Sequence, residues 1–253
     1  TTLADGFVIG TDVEQSVQRY TKSKLDKKWL KRTWEGKDTG LSYLYLTVKT
    51  DGVRFRPIGS TAPLPHKRLL SICATALHTV LMHSGLKHHT FTDSFQLKND
   101  IRQLDDLAQR NGWFVWRVLW DIKNFYTEIN KHALLPRLKY VLDRYRAHNR
   151  INKVSVPKIK TKNTKPKPGT DRSGKYFDIS LDMLFAVIKF AMETAFFKLG
   201  MVILLQVLGL VMGDPLSPPL AQLFVSFDEH HQCALNIFAN SNIVHRYQKR
   251  YMD

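Results

Sequence analysis

The chain of 253 residues has an ordinary globular composition, with 43% hydrophobic residues, but its formal net charge is +16. An enzyme of a small neutral substrate needs no such charge, whereas each Lys or Arg placed against a phosphate releases condensed counterions. A polyanion partner is therefore favoured over a generic basic surface. The two cysteines, Cys73 and Cys233, exclude a cysteine-rich zinc module and a disulfide framework, which fits an intracellular location. The apolar run 201–212 is too short to cross a membrane, and neither end of the sequence has a lipidation signal or a basic amphipathic helix, so we expect no membrane partner.

The first part of the chain predicts an extension followed by a β-hairpin. Residues 1–40 are polar, and their basic stretch is compatible with a helix that has one solvated face. Residues 41–58 predict the hairpin, because aromatic and β-branched residues flank Asp51-Gly52, a pair typical of a type I′ turn. Pro57 is expected to end the ladder on its side, since proline cannot donate a backbone hydrogen bond.

The rest of the chain alternates between helical spacing and short strand-like runs. Helices are predicted where apolar residues recur three or four positions apart. The stretches with this spacing are 66–82, 94–110, 132–147, 180–198 and 215–239. Strands are predicted where short runs are apolar, aromatic or alternating. These runs are 113–120, the pair 196–198 and 201–207 around Gly200, and 243–253.

Residues 149–176 differ in composition from the rest of the chain. Lysines and prolines alternate through much of this stretch, and two glycines follow them. Such a segment is expected to bury too little apolar surface to offset its ordering entropy. We predict a flexible insertion, either a linker or an arm that binds a polyanion, and the sequence favours neither role.

Three pieces of the sequence carry residues suited to chemistry. Asp121 ends the apolar run 113–120, where a carboxylate is costly to bury unless a cation pairs with it, although an aspartate there also caps a following helix. Residues 209–221 lead through two glycines and three prolines into a helix; glycine permits close approach of a backbone or a flat ring, and an ordinary helix entry is the alternative. Asp253 again follows a strand-like run.

The order of these pieces resembles the palm of reverse transcriptases. Asp121 matches the first palm motif, residues 213–218 match the second, and Tyr251-Met252-Asp253 match the start of the Tyr-x-Asp-Asp motif. Upstream, residues 49–58 are similar to the fingers hairpin of that family, including its Arg-Pro-Ile. The resemblance covers roughly residues 40–253. It implies an RNA-directed DNA polymerase of a retroelement, with an α+β fold of fingers and palm in which helices back the palm sheet.

The resemblance also implies a domain organisation. An N-terminal basic extension would cover 1–40, the fingers 41–112, and the palm 113–253 with the insertion 149–176 inside it. The chain is expected to stop inside its last motif, so that the second aspartate of that motif and the thumb are absent. We expect this fragment to be inactive alone.

The resemblance further implies a two-metal reaction that adds nucleotides to a primer 3′-hydroxyl. Asp121 would bridge two Mg²⁺ ions, for which Mn²⁺ is an alternative, and Asp253 would hold the ion at the hydroxyl. The backbone carbonyl of Ile122 would complete the second site, since Mg²⁺ prefers oxygen ligands. The implied partners are an RNA template, a DNA or RNA primer and deoxynucleoside triphosphates, and the implied location is the nucleus.

Five residues match nucleotide-binding positions of the family. Lys49 and Arg56 would cradle the triphosphate, with solvated strand charges as the alternative. Tyr126 would be the sugar gate, whose ring leaves no room for a ribose 2′-hydroxyl; a core aromatic is the alternative. Gly213 and Ser217 would line the nucleotide and template side of the helix.

Two stretches are most similar to Penelope-like retroelements. They begin at Phe125-Tyr126 and Met212-Gly213, and the second has Met-Gly where retroviral and group II intron enzymes have Gln-Gly. Met212 therefore puts in doubt a side-chain hydrogen bond to the nucleotide from that position. Asp214, where a small residue is common in the group, is a second departure.

Two rival interpretations lead to different functions. A domesticated, non-catalytic domain that binds RNA or scaffolds a complex would be expected to lose its aspartates, but Asp121 and Asp253 are both present. An RNA-templated RNA polymerase with a similar palm must admit the 2′-hydroxyl, and Tyr126 argues against that activity.

Overall fold

The computed structural model of the chain describes most of its residues. The described ranges are 2–3, 7–10, 40–48, 52, 55–64, 66–86, 90–91, 94–114, 122, 124–161, 163–200, 202–234 and 250–251. The helices are α1 (Lys67–His83), α2 (Ser94–Asn111), α3 (Phe125–Glu128), α4 (Lys131–Asn149), α5 (Leu181–Glu193) and α6 (Ser217–Ala234). The strands are β1 (Thr2–Leu3), β2 (Phe7–Gly10), β3 (Ser42–Val48), β4 (Phe55–Ser60), β5 (Thr90–Phe91), β6 (Lys153–Pro157), β7 (Lys167–Pro168), β8 (Tyr176–Ser180), β9 (Phe196–Leu199), β10 (Val202–Gln206) and β11 (Arg250–Tyr251).

The described strands form three sheets, so the fold mixes helices and strands as predicted. The largest sheet has the order β1-β2-β10-β9-β3-β4, in which β3 and β9 run parallel and the other pairs are antiparallel. A three-stranded antiparallel sheet has the order β7-β6-β8. The strands β5 and β11 pair in parallel.

The predicted hairpin is confirmed as β3 and β4. Its register places Tyr45 opposite Ile58 and Thr47 opposite Arg56. Pro57 does not end the ladder, because it lies inside β4 and opposite Leu46. Among the described strands β4 is the outermost of its sheet, and an edge strand tolerates a proline because one side of its backbone has no partner strand.

Each of the five predicted helices is present, although two have different ends. The helix predicted over 180–198 ends at Glu193, because Phe196–Leu199 pair with β10 as strand β9. The helix predicted over 215–239 begins at Ser217, and residues 235–239 lie outside the described ranges. No helix among the described residues has the length and apolar character needed to cross a membrane.

The main core lies where α1 meets α4, α5, α6 and β6. One face of α1 is fully buried, and the residues with 0% exposure on it are Leu69, Cys73, Ala76, Leu77 and Val80. Their spacing of three and four positions is the reason that this sequence forms a helix with one apolar face. Because α3 precedes α4 directly and packs on α6, the core also fixes the position of α3.

The prediction of a flexible insertion over 149–176 is wrong. Within it, Val154, Ser155 and Val156 of β6 are all buried, and the two valines belong to the main core. Ser155 Oγ lies 2.6 Å from Asp178 Oδ1, which ties β6 to β8. The prediction failed because it used the average composition of the stretch. The lysines lie around one short apolar strand and not in its buried positions, so the average did not reveal that strand.

Some predicted elements lie partly or wholly outside the described residues. These are the basic helix within 1–40, most of the strand 113–120 and most of the strand 243–253. Within 1–40, strand β2 pairs with β10 and places Ile9 opposite Leu204. Part of the N-terminal segment therefore belongs to the largest sheet.

Candidate functional site

Three segments that are distant in sequence meet at one place in the fold. They are the end of β4, helix α3, and the loop 207–216 between β10 and α6. The backbone N–H of Gly59 donates to the Met212 carbonyl at 2.8 Å, and that of Leu210 donates to the Tyr126 carbonyl at 2.7 Å. The N–H of Gly209 also donates to the Ile129 carbonyl at 3.0 Å. Main-chain hydrogen bonds therefore connect the loop to both other segments.

Two glycines of the loop make these approaches sterically feasible. A Cβ at Gly209 would lie 2.6 Å from the Thr127 carbonyl oxygen, and one at Gly213 would lie 2.6 Å from the Gly59 carbonyl oxygen. Both glycines also have positive φ, +77° and +103° respectively, which side-chain-bearing residues rarely adopt. Since backbone atoms cannot yield as a flexible side chain does, any larger residue would separate the loop from α3 or β4.

The entry into α6 is held by the loop's own polar groups. The Leu216 N–H donates to Asp214 Oδ1 at 2.7 Å, and the Ser217 hydroxyl donates to the Val211 carbonyl at 2.6 Å. Burial raises the pKa of Asp214 to about 6, although the Leu216 N–H acts in the opposite direction. Ser217 is 3% exposed, so its side chain here supports the loop, and its contact with a nucleotide stays a prediction.

Tyr126 lies on α3, directly beside the loop. Asn124 begins this helix with a left-handed backbone, φ 53°, and its amide donates to Glu128 Oε1 at 3.1 Å. The Tyr126 ring is half-buried against the main core and meets the Phe125 ring edge-on at a centroid distance of 5.9 Å. Tyr126 therefore packs partly against the core, as the alternative interpretation expected, and its role as a sugar gate stays a prediction.

Arg56 lies on β4, three residues before Gly59. Its side chain is exposed, and the structure gives its guanidinium no acidic partner among the described residues. Because side chains alternate along a strand, Arg56 and Ile58 share one sheet face and Gly59 belongs to the other. An exposed arginine of this kind is able to bind an anion, but the geometry does not join it to the loop.

Three of the predicted site residues lie outside the described ranges: Asp121, Asp253 and Lys49. Ile122 is described, and half of its side chain is exposed. Within the described ranges, no group of three or more His, Cys, Asp or Glu is arranged to hold a metal ion. The two-metal site accordingly stays a prediction.

Two residues that this site depends on, Lys131 and Gly59, were not predicted from the sequence. Lys131 Nζ donates to the Gln206 carbonyl at 2.5 Å and to the Met192 carbonyl at 3.0 Å, and burial lowers its pKa to about 8. It fastens the start of α4 to the end of β10. Gly59 was the more detectable of the two, because a glycine inside a strand often marks close approach of another backbone.

The space enclosed between the hairpin and the loop is small. Leu44, Pro57, Phe197 and Met212 are among the residues around a cavity of about 40 Å³. Ligand pockets usually enclose about 300–1,000 Å³, so this cavity is far too small for a nucleotide. A ligand of that size would have to lie on the open side of the three joined segments.

The fold is distantly similar to that of reverse-transcriptase-related polymerases. One solved structure with such a fold is telomerase from Candida albicans in complex with a TWJ fragment of telomeric RNA, with a TM-score of 0.58 over 94% of this chain. The sequences are 16% identical, so the likeness concerns the fold alone, and the chain spans about 40% of the length of that telomerase. No family model matches the chain. No curated protein matches it either.

Proposed function

We propose that this chain is the fingers and palm part of a reverse transcriptase, which copies an RNA template into DNA. The observation that carries the proposal is the contact among the three segments. Gly59 directly follows Arg56-Pro57-Ile58 and bonds to Met212, and Leu210 bonds to Tyr126. The hairpin, the helix after the first palm motif and the second palm motif are thus neighbours, as a nucleotide site requires. The similarity of the fold to a telomerase supports the same conclusion.

The metal chemistry rests on residues that suit Mg²⁺. Asp121, Asp253 and the Ile122 carbonyl would supply oxygen donors alone, and Mg²⁺ prefers such donors to nitrogen or sulfur. Two such ions, when bound, activate the primer 3′-hydroxyl and stabilise the leaving pyrophosphate. In this proposal the chain would present both carboxylates to the ions, with Mn²⁺ as an alternative ion.

Nucleotide binding would use the exposed side of the joined segments. The guanidinium of Arg56 is exposed, and with Lys49 it would hold the triphosphate by charge-assisted hydrogen bonds. The Tyr126 ring is held by Phe125 and the core, so it would form a fixed wall under the sugar. Gly213 would let a flat base approach the backbone of the loop, while Ser217 keeps the loop in shape.

Within the family we propose a Penelope-like retroelement enzyme, working in the nucleus on an RNA template with a DNA or RNA primer. The basis is Phe125-Tyr126 and Met212-Gly213. The contact between Met212 and Gly59 is a main-chain hydrogen bond. It therefore does not require the glutamine side chain that retroviral and group II intron enzymes have at this position. The domain bounds 41–112 for fingers and 113–253 for palm are part of this proposal.

Asp121→Asn tests the reaction. In the whole protein that contains residues 1–253, we expect DNA synthesis to fall by at least about 10²-fold, because the amide keeps the size but loses the charge that holds a divalent ion. The measurement is primer extension on an RNA template with Mg²⁺. Asp143→Asn, which removes an exposed carboxylate of α4, is the matched control and should change the rate less than about twofold. Undiminished synthesis by Asp121→Asn would favour the non-catalytic RNA-binding or scaffolding domain.

Tyr126→Val tests the kind of nucleotide used. We expect synthesis to continue while ribonucleotides become substrates, because only the wall under the sugar is removed. Tyr126→Phe keeps the ring and should keep the discrimination between the two sugars. If Tyr126→Val discriminates as the parent does, the sugar gate lies elsewhere and the preference for a DNA product loses its basis.

A further inference from the structure

A second feature of the molecule is a concentration of positive charge on the sheet β7-β6-β8. Residues 150–175, which we name the basic platform, contain nine Lys or Arg and one acid, Asp171. Their formal charge of nine minus one is half of the +16 of the whole chain. Because β6 is anchored in the main core, this charge lies on a folded surface rather than on a tail.

Several side chains of the platform are held in place by their neighbours. Lys158 Nζ donates to the Gly174 carbonyl at 2.5 Å and lies over the Phe177 ring at 5.7 Å. Lys167 pairs with Asp171 at 2.5 Å and lies over the Tyr176 ring at 4.9 Å. These contacts hold the loops between the strands in one arrangement, so less ordering entropy is lost when a ligand binds there.

Other cations of the platform have no acidic partner among the described residues. They are Arg150, Lys153, Lys160, Lys165, Arg172 and Lys175, and all of them are exposed. Arg150 and Lys153 line an open groove of about 520 Å³, together with Asn152, Gly169 and Thr170. Arg146 also lines this groove, but Asp143 and Asp182 offset its charge at 2.9 and 3.0 Å. The unpaired charge in the groove is therefore that of Arg150 and Lys153.

The platform is far from the three joined segments. Helix α4 begins at Lys131, which bonds to the end of β10, and it ends at Asn149, next to the groove. A helix of 19 residues spans about 28 Å at a rise of ~1.5 Å per residue. A ligand in the groove would consequently be a separate contact from a nucleotide beside Tyr126.

We propose that the basic platform binds the phosphodiester backbone of double-helical nucleic acid. Phosphates match its cations, and Asn152 and Thr170 add hydrogen-bonding groups to the groove. Single strands are usually bound by stacking bases on exposed aromatic rings. The rings of the described platform surface do not offer this, because Phe177 is buried and Tyr176 is half-buried beneath Lys167. The contact is therefore with the backbone and is independent of sequence.

Charge removal tests the proposal on the whole chain. The variant carries Lys153→Gln, Lys160→Gln, Lys165→Gln and Lys175→Gln, and the matched control carries Lys98→Gln, Arg102→Gln, Arg110→Gln and Lys139→Gln on α2 and α4. The probes are blunt 20-base-pair duplexes of RNA and of DNA and an unstructured 20-nucleotide single strand, each titrated over a salt series. Each phosphate contact contributes about 0.9 to the log–log salt slope for duplex DNA, so the platform variant should lose about 2 to 4 in slope and the control less than about 1.

Arg150→Gly separates binding from folding. Arg150 has a left-handed backbone with φ 56°, which glycine adopts without strain, so the melting temperature should stay the same or rise. The affinity for duplex should nevertheless fall by about 3- to 10-fold, as expected for one lost phosphate contact. Unchanged affinity together with an intact fold would contradict the proposal, because Arg150 carries one of the two unpaired charges in the groove.

The binding titrations test the proposal for the platform independently of the proposed polymerase activity. An equal loss of slope in platform and control variants would mean that overall charge, not this surface, binds. A loss confined to the single strand, or binding of anionic vesicles or acidic peptides in preference to both duplexes, would overturn the proposal as well. The RNA and DNA arms identify which helix it prefers. A blunt duplex has no unpaired template strand to copy, so its binding does not depend on polymerase activity. If primer extension failed, the binding result would still stand.

Discussion

The loop 207–216 and the basic platform represent two different ways of building a binding surface. The loop is joined to α3 and β4 by main-chain hydrogen bonds and by glycines that meet carbonyl oxygens at 2.6 Å. The platform instead relies on exposed cations around one anchored strand. The loop therefore depends on close backbone contacts that leave no room for a Cβ, whereas the platform depends mainly on the number and sign of its charges.

Gly209→Ala should give the largest effect on stability in this comparison. Its Cβ would meet the Thr127 and Tyr126 carbonyl oxygens at 2.6 and 2.7 Å in a backbone with φ +77°. We expect a loss of about 3 kcal/mol or more in the free energy of unfolding, measured in urea.

Gly200→Ala is the control for that change. Gly200 also has positive φ, +59°, but a Cβ there would meet nothing within 4 Å. It should lose only about 1 kcal/mol, the cost of the backbone conformation alone. Equal losses at Gly209 and Gly200 would mean that the contact with α3 is not what requires glycine in the loop.

Asp214→Asn should have an intermediate effect that depends on pH. Burial raises the pKa of Asp214 from 3.8 to about 6, so in this window the folded chain binds more protons than the unfolded chain, and stability falls as pH rises from about 4 to 6. At ~1.4 kcal/mol per pKa unit this fall is at most about 3 kcal/mol, and partial exposure reduces it. The asparagine side chain still accepts a hydrogen bond from the Leu216 N–H. The stability of the variant should therefore not decrease between pH 4 and 6, and at pH 7 the variant should be at least as stable as the parent.

The measurement is the urea midpoint of both proteins from pH 4 to 7. The parent should show a decline over pH 4 to 6 that is absent in Asp214→Asn. Parallel profiles for the two proteins would contradict the burial of this carboxyl as the source of the decline.

Exchange of lysine for arginine in the platform should have the smallest effect. Lys160→Arg and Lys165→Arg keep both charges at exposed positions, so duplex affinity should change less than about twofold at constant salt. Fluorescence anisotropy with the duplexes described above measures this change. A larger change would show that these positions recognise a particular geometry, and the contrast with the loop would then be smaller than we infer.

Local pattern in the sequence was sufficient for elements with their own periodicity. The Asp51-Gly52 pair and the alternation around it predicted the hairpin, and apolar spacing predicted α1 and α4. The platform was missed because Val154 and Val156 are among the few apolar residues of a stretch whose average composition is basic and proline-rich. A strand that is anchored by another element gains its stability from tertiary packing, which composition does not reveal.

The candidate site was predictable only where a motif was recognisable. Gly213 and Tyr126 could be singled out by resemblance, but the bond from Leu210 to Tyr126 joins residues 84 positions apart, and no local pattern encodes it. The role of Lys131 was equally hidden, because its two carbonyl partners come from α5 and β10. Such contacts depend on how the helices and strands pack together. That packing is determined by the whole sequence and not by any local pattern.

The pairing of β2 with β10 has a consequence for synthesis on the ribosome. Ile9 and Leu204 are partners although 195 positions separate them, and the partners Ser42 and Phe197 of β3 and β9 are 155 positions apart. At about 5–20 residues per second, β2 would wait roughly 10–40 s before its partner strand is made. The largest sheet can be completed only after residues 202–206 have been made. During that interval the early strands would need protection, for example by chaperones, from pairing with other nascent chains.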